Sequence, residues 1–358
     1  MPMSQFRMFV KDAWNLTQRA KANFPLYSGQ FGEDQESLMT STFQAYEVPS
    51  NVDVGDFCGV YDGYGRVVYS GIIQNIRDTN IEARSILSLW DADQEVVYGA
   101  YDTYMEDKLV TVMKMFFVGA LMTRIKNAMT ITAGSSTSTD PMIIGYNASD
   151  LPVKNIYSQI KEEIDAYGIY PYISLPYAPS SNITIDIRTC TKSSVTIANN
   201  AACILNIDVG EEESFINTLI VKRDQGNGTT YIDSWHLYSD GQYRTTPGVY
   251  YPLGYKKFKI KVIKVKQSDY YAGLVQQQMP PLIHNHRITF DMLLDNDLYD
   301  FYDWELGMPM EIWKDGKYYD SIMTGWQMSF EGENNPSVVR ITCGTARSTL
   351  TEVLNAEQ

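Results

Sequence analysis

Two histidines two residues apart, His284 and His286 in "IHNHR", are the first candidates for chemistry in this sequence of 358 residues. On a strand they would project from one face, where two imidazoles can share a metal ion. A metal site needs further ligands at definite places, and none stands beside them. The letters H-N-H are not the nuclease motif of that name, whose three residues are spread over a ββα unit. The acidic run "DNDLYDFYDWE" (Asp295, Asp297, Asp300, Asp303, Glu305) resembles a calcium loop at first sight. Counted from Asp295, position 6 is Asp300 where the turn needs Gly, and position 12 is Leu306 where a bidentate Glu is needed. A solvated, charged loop is the expectation.

Cys58, Cys190, Cys203 and Cys343 stand apart with no C-x-x-C pair, which speaks against a zinc site or a disulfide framework and for a reducing compartment. No G-x-S-x-G, P-loop or G-x-G-x-x-G is present. These residues therefore predict no catalytic centre, no metal and no cofactor. The aromatic residues Trp90, Trp235, Trp304, Trp313, Trp326 and the run "YGIYPYISLPY" from Tyr167 suggest core or subunit interface more than a sugar platform.

The elements that hold these residues are mostly β. Hydrophobic residues make up 44% of the chain and charged ones 20%, as in folded proteins, and 26 Tyr favour sheets and interfaces. A net charge of −14 argues against a nucleic-acid grip, which needs a basic footprint, yet suits a surface past which a polyanion slides. The first twenty residues lack the basic and apolar regions of a signal peptide. The most apolar run, "LVTVMKMFFVGALM" from Leu109, holds Lys114 and falls short of the ~20 residues that span a bilayer. It predicts a buried helix, with Leu109, Met113, Phe116, Phe117 and Ala120 on one face.

The first ~35 residues read as an amphipathic lead-in. From Met39 to Trp90 the pattern is β, punctuated by Pro49, "DGYG" and "RDTN". A Ser/Thr-rich link, "TAGSSTSTD", precedes a second amphipathic segment, "VKNIYSQIKEEIDAYG". The three Pro of "YGIYPYISLPYAPSS" predict an extended arm lying on a neighbour. From Asn182 the chain is β again, apart from a helical piece around "SDYYAGLVQQQM".

Two distant stretches share a layout. In "VDVGDFCGVYDGYGRVVYSGII", Gly55 is followed by Val60-Tyr61, an Asp-Gly turn, and Ser70-Gly71. In "WELGMPMEIWKDGKYYDSIMTGW", Gly307 is followed by Ile312-Trp313, an Asp-Gly turn, and Thr324-Gly325. The marker glycines are 16 residues apart in the first copy and 18 in the second, a difference a hairpin loop absorbs. A third strand follows each ("ARSILSLW", "SVVRITCG"), and "STFQAY" matches "RITFDMLL" before them. Convergence is one reading of the likeness, since any β-meander carries Gly, Asp-Gly and alternating apolar residues. The other, duplication of one β-domain, would give three chains six similar domains, able to match a sixfold partner in a closed ring.

In these segments the sequence resembles the baseplate-hub and tail-tip proteins of tailed bacteriophages. "VDVGDFCGVYDGYGRVVYSGII" is similar to the hairpin of their first domain, and "INTLIVKRDQGNGTTYIDSWHLYSDGQYRTT" to their inserted β-region. "YYAGLVQQQMPPLIHNHRITFDMLLDN" and "ELGMPMEIWKDGKYYDSIMTGWQ" are similar to their second domain. The resemblance covers most of the chain through loose motifs. It implies a mainly β protein with α insertions: a first tube-like antiparallel β-barrel domain at 1–100 and a helical segment with an arm at 101–180. An inserted β-domain at 181–272 and a second tube-like barrel at 273–358 follow. It further implies a homotrimer in the virion, made in the host cytoplasm, with tail-tube or distal-tail proteins above and tip or fibre proteins below. DNA would pass through the lumen unbound, without membrane insertion. The hairpin residues Gly55, Val60, Tyr61, Gly71, Gly307, Ile312, Trp313 and Gly325 are the expected interface. A carbohydrate- or receptor-binding viral β-protein is the alternative.

Overall fold

The computed structural model describes residues 6–34, 38–91, 168–211, 218–238, 243–246, 260–267, 286–332 and 337–344, with shorter stretches between 93 and 161. The chain opens on β1 (Arg7–Lys11) and β2 (Ala22–Asp34), where the sequence suggests a lead-in. β1 escapes detection because it is buried on both faces: Met8 and Val10 point into one apolar cluster and Phe9 into another. Its residues therefore show no alternation, which a half-buried strand would. Next come β3 (Thr40–Ala45), β4 (Phe57–Tyr61), β5 (Val67–Arg77) and β6 (Asn80–Ser85). These strands run in the order β1-β4-β5-β6-β3-β2, and an antiparallel β1–β2 ladder closes them into a six-stranded barrel.

The middle of the chain packs against the outside of this barrel. β7 (Asp93–Glu95), β8 (Gly99–Tyr101), β10 (Met142–Ile144) and β11 (Val153–Asn155) form two short pairs. β9 (Met129–Ala133), β12 (Ile169–Ser174) and β13 (Ile183–Thr189) form a three-stranded sheet. The helix Ala120–Asn127 supports the sheet through Ile125. Phe9, Phe57 and Ile72 of the barrel meet Ile183, Ile185 and Ile187 of the sheet in one cluster. Met113 is buried in that cluster, while Leu109, Phe116 and Phe117 lie outside the described residues. The helical piece predicted at "SDYYAGLVQQQM" also lies outside them.

The arm expected to lie on a neighbour is instead β12, paired to its own chain. Pro171 is accommodated because β12 is the sheet's edge, where a missing N–H costs no ladder bond. Beyond it Leu175 is buried and the Tyr177 ring sits edge-on to Phe9 at 5.2 Å.

The remaining strands are β14 (Val195–Ala198), β15 (Ile204–Glu211), β16 (Thr218–Asp224), β17 (Thr230–Leu237), β18 (Tyr243–Arg244) and β19 (Ile260–Lys266). They are followed by β20 (His286–Leu293), β21 (Pro309–Lys314), β22 (Lys317–Glu331) and β23 (Val338–Cys343). β16 to β19 make a separate four-stranded sheet. The sequence assigns β14 and β15 to the inserted β-domain at 181–272; their ladders place them in the second barrel. Their partners β21 and β20 lie about a hundred residues downstream, beyond the reach of any local pattern.

That second unit has the order β14-β21-β22-β23-β20-β15, the order of the first barrel with each strand replaced by a counterpart. It departs from the first barrel at one strand: β1 is antiparallel to β4, while β14 is parallel to β21. Among the described residues no ladder joins β14 to β15. The Lys314 ammonium, donating to the Ile207 carbonyl at 2.8 Å, spans the seam instead.

Candidate functional site

The two hairpins form as predicted, with different turns. Between β4 and β5 the turn is organised by Asp62, whose buried carboxylate accepts from the backbone N–H of Tyr64 (2.9 Å) and Arg66 (3.0 Å). The same group accepts from Arg66 Nε at 2.8 Å. The Arg66 guanidinium lies 3.6 Å over the Tyr302 ring, so this turn is clamped to the loop before β21. Between β21 and β22 the turn is only Asp315-Gly316, with φ of 51° and 79°, the two left-handed residues of a type I′ hairpin.

This difference corrects the correspondence drawn from the marker glycines. Val60 pairs with Tyr69 and Ile312 with Tyr319; Cys58 pairs with Gly71 and Met310 with Ser321. Gly71 therefore matches Ser321, and Gly325 lies four residues further along. The extra loop residues belong to the first copy, whereas the glycine spacing assigns them to the second. The leading markers do correspond: Gly55 N–H donates to Ile73 O and Gly307 N–H to Met323 O, each at 2.8 Å and each with positive φ. Val60 and Ile312 are buried in the cores, and Tyr61 shares its hydroxyl with Arg7 and Asn23. Trp313 is 45% exposed beside Tyr318, ring centroids 5.1 Å apart, and Tyr64 on the other turn is 74% exposed.

Gly325 is placed at a feature the sequence does not announce. β22 is long enough to pair with β21 through its first half and with β23 through its second, and from Gly325 to Glu331 its other edge is taken by β2. Asp34 to Ser28 run antiparallel to Gly325 to Glu331, seven residues on each strand. This ladder welds the barrels into one twelve-stranded sheet over one apolar cluster. Phe6 packs on Phe330 at 4.4 Å and Phe31 edge-on to Trp326 at 6.0 Å across the joint.

Close approach at the joint depends on Gly32, where a Cβ would overlap the Trp326 carbonyl oxygen and lie 2.8 Å from Gln327 Cα. The neighbouring Glu33 carboxyl is buried, which pushes its pKa up against the partial relief of a hydrogen bond from Trp326. The short pattern Gly-Glu-acid, present at Gly32-Glu33-Asp34 and again at Gly210-Glu211-Glu212, is the signal that would have found the joint from sequence.

A second clamp holds the three-stranded sheet to the second barrel. Arg188 donates to both oxygens of Glu305, at 3.0 and 2.9 Å, with its guanidinium 3.8 Å over the Tyr172 ring. Cys190 Sγ donates to the same carboxylate at 3.3 Å. Burial alone would raise the Glu305 pKa, but the bonds from Arg188, Cys190 and the Thr191 N–H outweigh it and hold the carboxyl below its usual range.

Three of the residues that suggested chemistry, Asp300, Glu305 and His286, have structural neighbours. Asp300 caps the turn at Phe301–Asp303, accepting from Tyr302 N–H, and Glu305 belongs to Arg188. Asn296 caps the start of the same loop. His286 is buried on β20 beside the Tyr319 ring, while His284 lies outside the described residues. No three His, Cys, Asp or Glu gather among the described residues into a group able to hold a metal. Burial pushes the Cys58 thiol up to about 12 and that of Cys190 to about 11, so both are protonated and poorly nucleophilic near neutral pH. No helix among the described residues is long and apolar enough to cross a membrane.

The amino-acid sequence matches no protein-family profile and no curated protein. The fold, by contrast, is shared along nearly the whole chain. A tail protein from Neisseria meningitidis MC58 superposes with a TM-score of 0.58 at 12% identity, over 95% of this chain and 97% of that one. Prophage tail protein gp18 from Listeria monocytogenes EGD-e gives 0.57 at 12% identity, over 99% and 98%. The 43 kDa tail protein of prophage MuSo2 from Shewanella oneidensis gives 0.55 at 9% identity, over 95% and 98%. With two barrels of one strand order welded through a shared strand, this chain has the fold of phage tail proteins.

Proposed function

We propose that the protein is a structural hub of a phage tail tip or baseplate. Three copies form a ring that adapts a sixfold tail tube to the distal tip proteins and lines the DNA channel. The observation that carries this reading is the repeat: one chain holds two barrels of identical strand order, fixed to each other by a seven-residue ladder. Three such chains offer six similar units, which a sixfold tube can meet without mismatch. The net charge of −14 keeps the ring from gripping a polyanion in transit. The exposed hairpin tips around Tyr64 and Trp313 supply aromatic contacts for neighbouring tail proteins. The role is non-enzymatic and belongs to the virion tail.

Light scattering on the purified chain is the test. A hub runs at about 120 kDa, three times the 40.7 kDa chain. A species that stays monomeric at high micromolar concentration refutes the ring. Binding on a glycan array would favour the receptor-binding alternative, for which a hub shows no signal.

A further inference from the structure

We infer that the outer edge of β15 pairs with the last residues of β5 in a second copy of this chain, repeating between chains the ladder that β2 and β22 make within one. The inference rests on the ring reading above and specifies its contact.

The two barrels can be matched residue by residue through their ladders. The Phe43–Ile81 pair of β3 and β6 corresponds to Phe290–Ile341 of β20 and β23. The bulges fall at matching places: Tyr27 in β2 and Leu205 in β15 are skipped, as are Gln74 in β5 and Thr324 in β22. β15 is thus the counterpart of β2, and β5 of β22. Within the chain, β22 becomes available to β2 just after Met323 N–H bonds the Met308 carbonyl and β21 lets go. β5 has the same hand-over, Ile73 N–H to Asp56 O at 2.9 Å, after which Gln74 to Arg77 have no ladder partner on that side among the described residues. β15, in turn, has a ladder on one side only among the described residues, to β20. β15 ends the strand order of the second barrel and the open stretch of β5 belongs to the first, so the pairing runs between copies.

Glycine marks the contact. Gly210 is the counterpart of Gly32, and each is followed by Glu. At Gly32 the missing side chain admits the backbone of β22, whereas a Cβ at Gly210 would meet nothing nearer than the Arg287 carbonyl at 3.6 Å. A residue without a side chain, on an edge strand that none of the described residues approaches, fits a strand supplied by another copy. The β2–β22 register then sets Gly210 opposite Arg77 and Glu211 opposite Ile76 of the neighbour. Arg77 and Asp208 are both exposed and lie diagonally across that register, an attractive pair. The contact is shorter than its model because β5 turns at Asp78-Thr79, while β22 runs on to Glu331.

The test uses the full chain in a Cys190→Ser background, carrying Glu211→Cys and Ile76→Cys singly, mixed or together. Paired residues in a ladder lie within disulfide reach. Under mild oxidation the mixed single variants should give a covalent dimer, neither alone should, and the double variant should end at a covalent trimer. Gly210→Ala should weaken assembly at least ~10-fold, the effect of losing one close backbone contact, with the melting temperature of the isolated chain unchanged. Trimers in solution that do not cross-link overturn this contact and leave the ring standing; a chain that stays monomeric overturns both. Cross-linked products that continue past three support the edge pairing and refute the three-chain ring.

Discussion

Gly32→Ala is the perturbation that most directly weighs the joint between the barrels. The added methyl would overlap the Trp326 carbonyl and come within 2.8 Å of Gln327 Cα, and both obstacles are backbone. No rotamer change relieves them, so the strands must separate locally. Two ladder bonds next to the substitution are then lost, at about 1 kcal/mol net each. Their donors or acceptors, buried beneath Phe31, Met328 and Phe330, cost about a further 1–2 kcal/mol if left unmade. A total of about 3–4 kcal/mol is a large part of the 5–15 kcal/mol that holds a typical domain. At about 2 °C per kcal/mol for a unit of this size, calorimetry should show a fall in Tm of about 6–8 °C at neutral pH. The same alanine at Gly210, on an open edge of the isolated chain, is the internal control. If Gly32→Ala melts within about 2 °C of the unaltered protein, the close approach does not carry the joint.

Other consequences follow from the clamps and buried acids. Because burial raises the folded-state pKa of Glu33, its ionisation opposes folding above the ordinary carboxyl range and the penalty lifts as pH falls through the folded value. Glu33→Gln should therefore raise Tm at pH 7 and match the unaltered protein near pH 3; an unchanged pH 7 melt contradicts this. Glu305 has the opposite sign: held below its ordinary range, it adds stability above about pH 4.5 that is lost on acidification. Arg188→Met should cost about 2–4 kcal/mol at neutral pH by stranding a half-buried carboxylate, less at pH 3, in paired denaturant titrations. Tyr302→Ala removes the ring under Arg66 and should cost about 1–2 kcal/mol on top of the hydroxyl's bond to Asp62, whereas Tyr302→Phe keeps the ring and should lose only that bond, about 1–2 kcal/mol in a denaturant titration. With Cys58, Cys203 and Cys343 buried and the Cys190 thiol pushed up to about 11, a thiol reagent at pH 8 should modify Cys190 first but slowly, and all four rapidly in denaturant.

Much of this architecture was legible because barrel strands with one wet face alternate: β3 reads exposed, buried, exposed along its length, and β20 buried and half-buried. The hairpin turns carried their own chemistry in Asp62, Asp315 and Gly316. β1 shows no alternation because both its faces are dry, and β14 reads as a strand but not as part of the second barrel, because its partner β21 is parallel and far away. Pro171 reads as part of an arm, yet proline excludes only a central strand and leaves an edge such as β12 open. The joint was hidden for another reason: β22 does two jobs in succession, and no periodicity tells where one partner gives way to the next. Only Gly32 and Gly210, each before a Glu, carried that information.

The welded joint also removes a freedom. With Phe6, Phe31, Trp326 and Phe330 locked across it, the rotation that carries one barrel onto the other is settled when the chain folds. A ring built by repeating that rotation has its size written into the monomer, before any second copy arrives. A neighbour that demanded five or seven units would have to break a core, not bend a hinge.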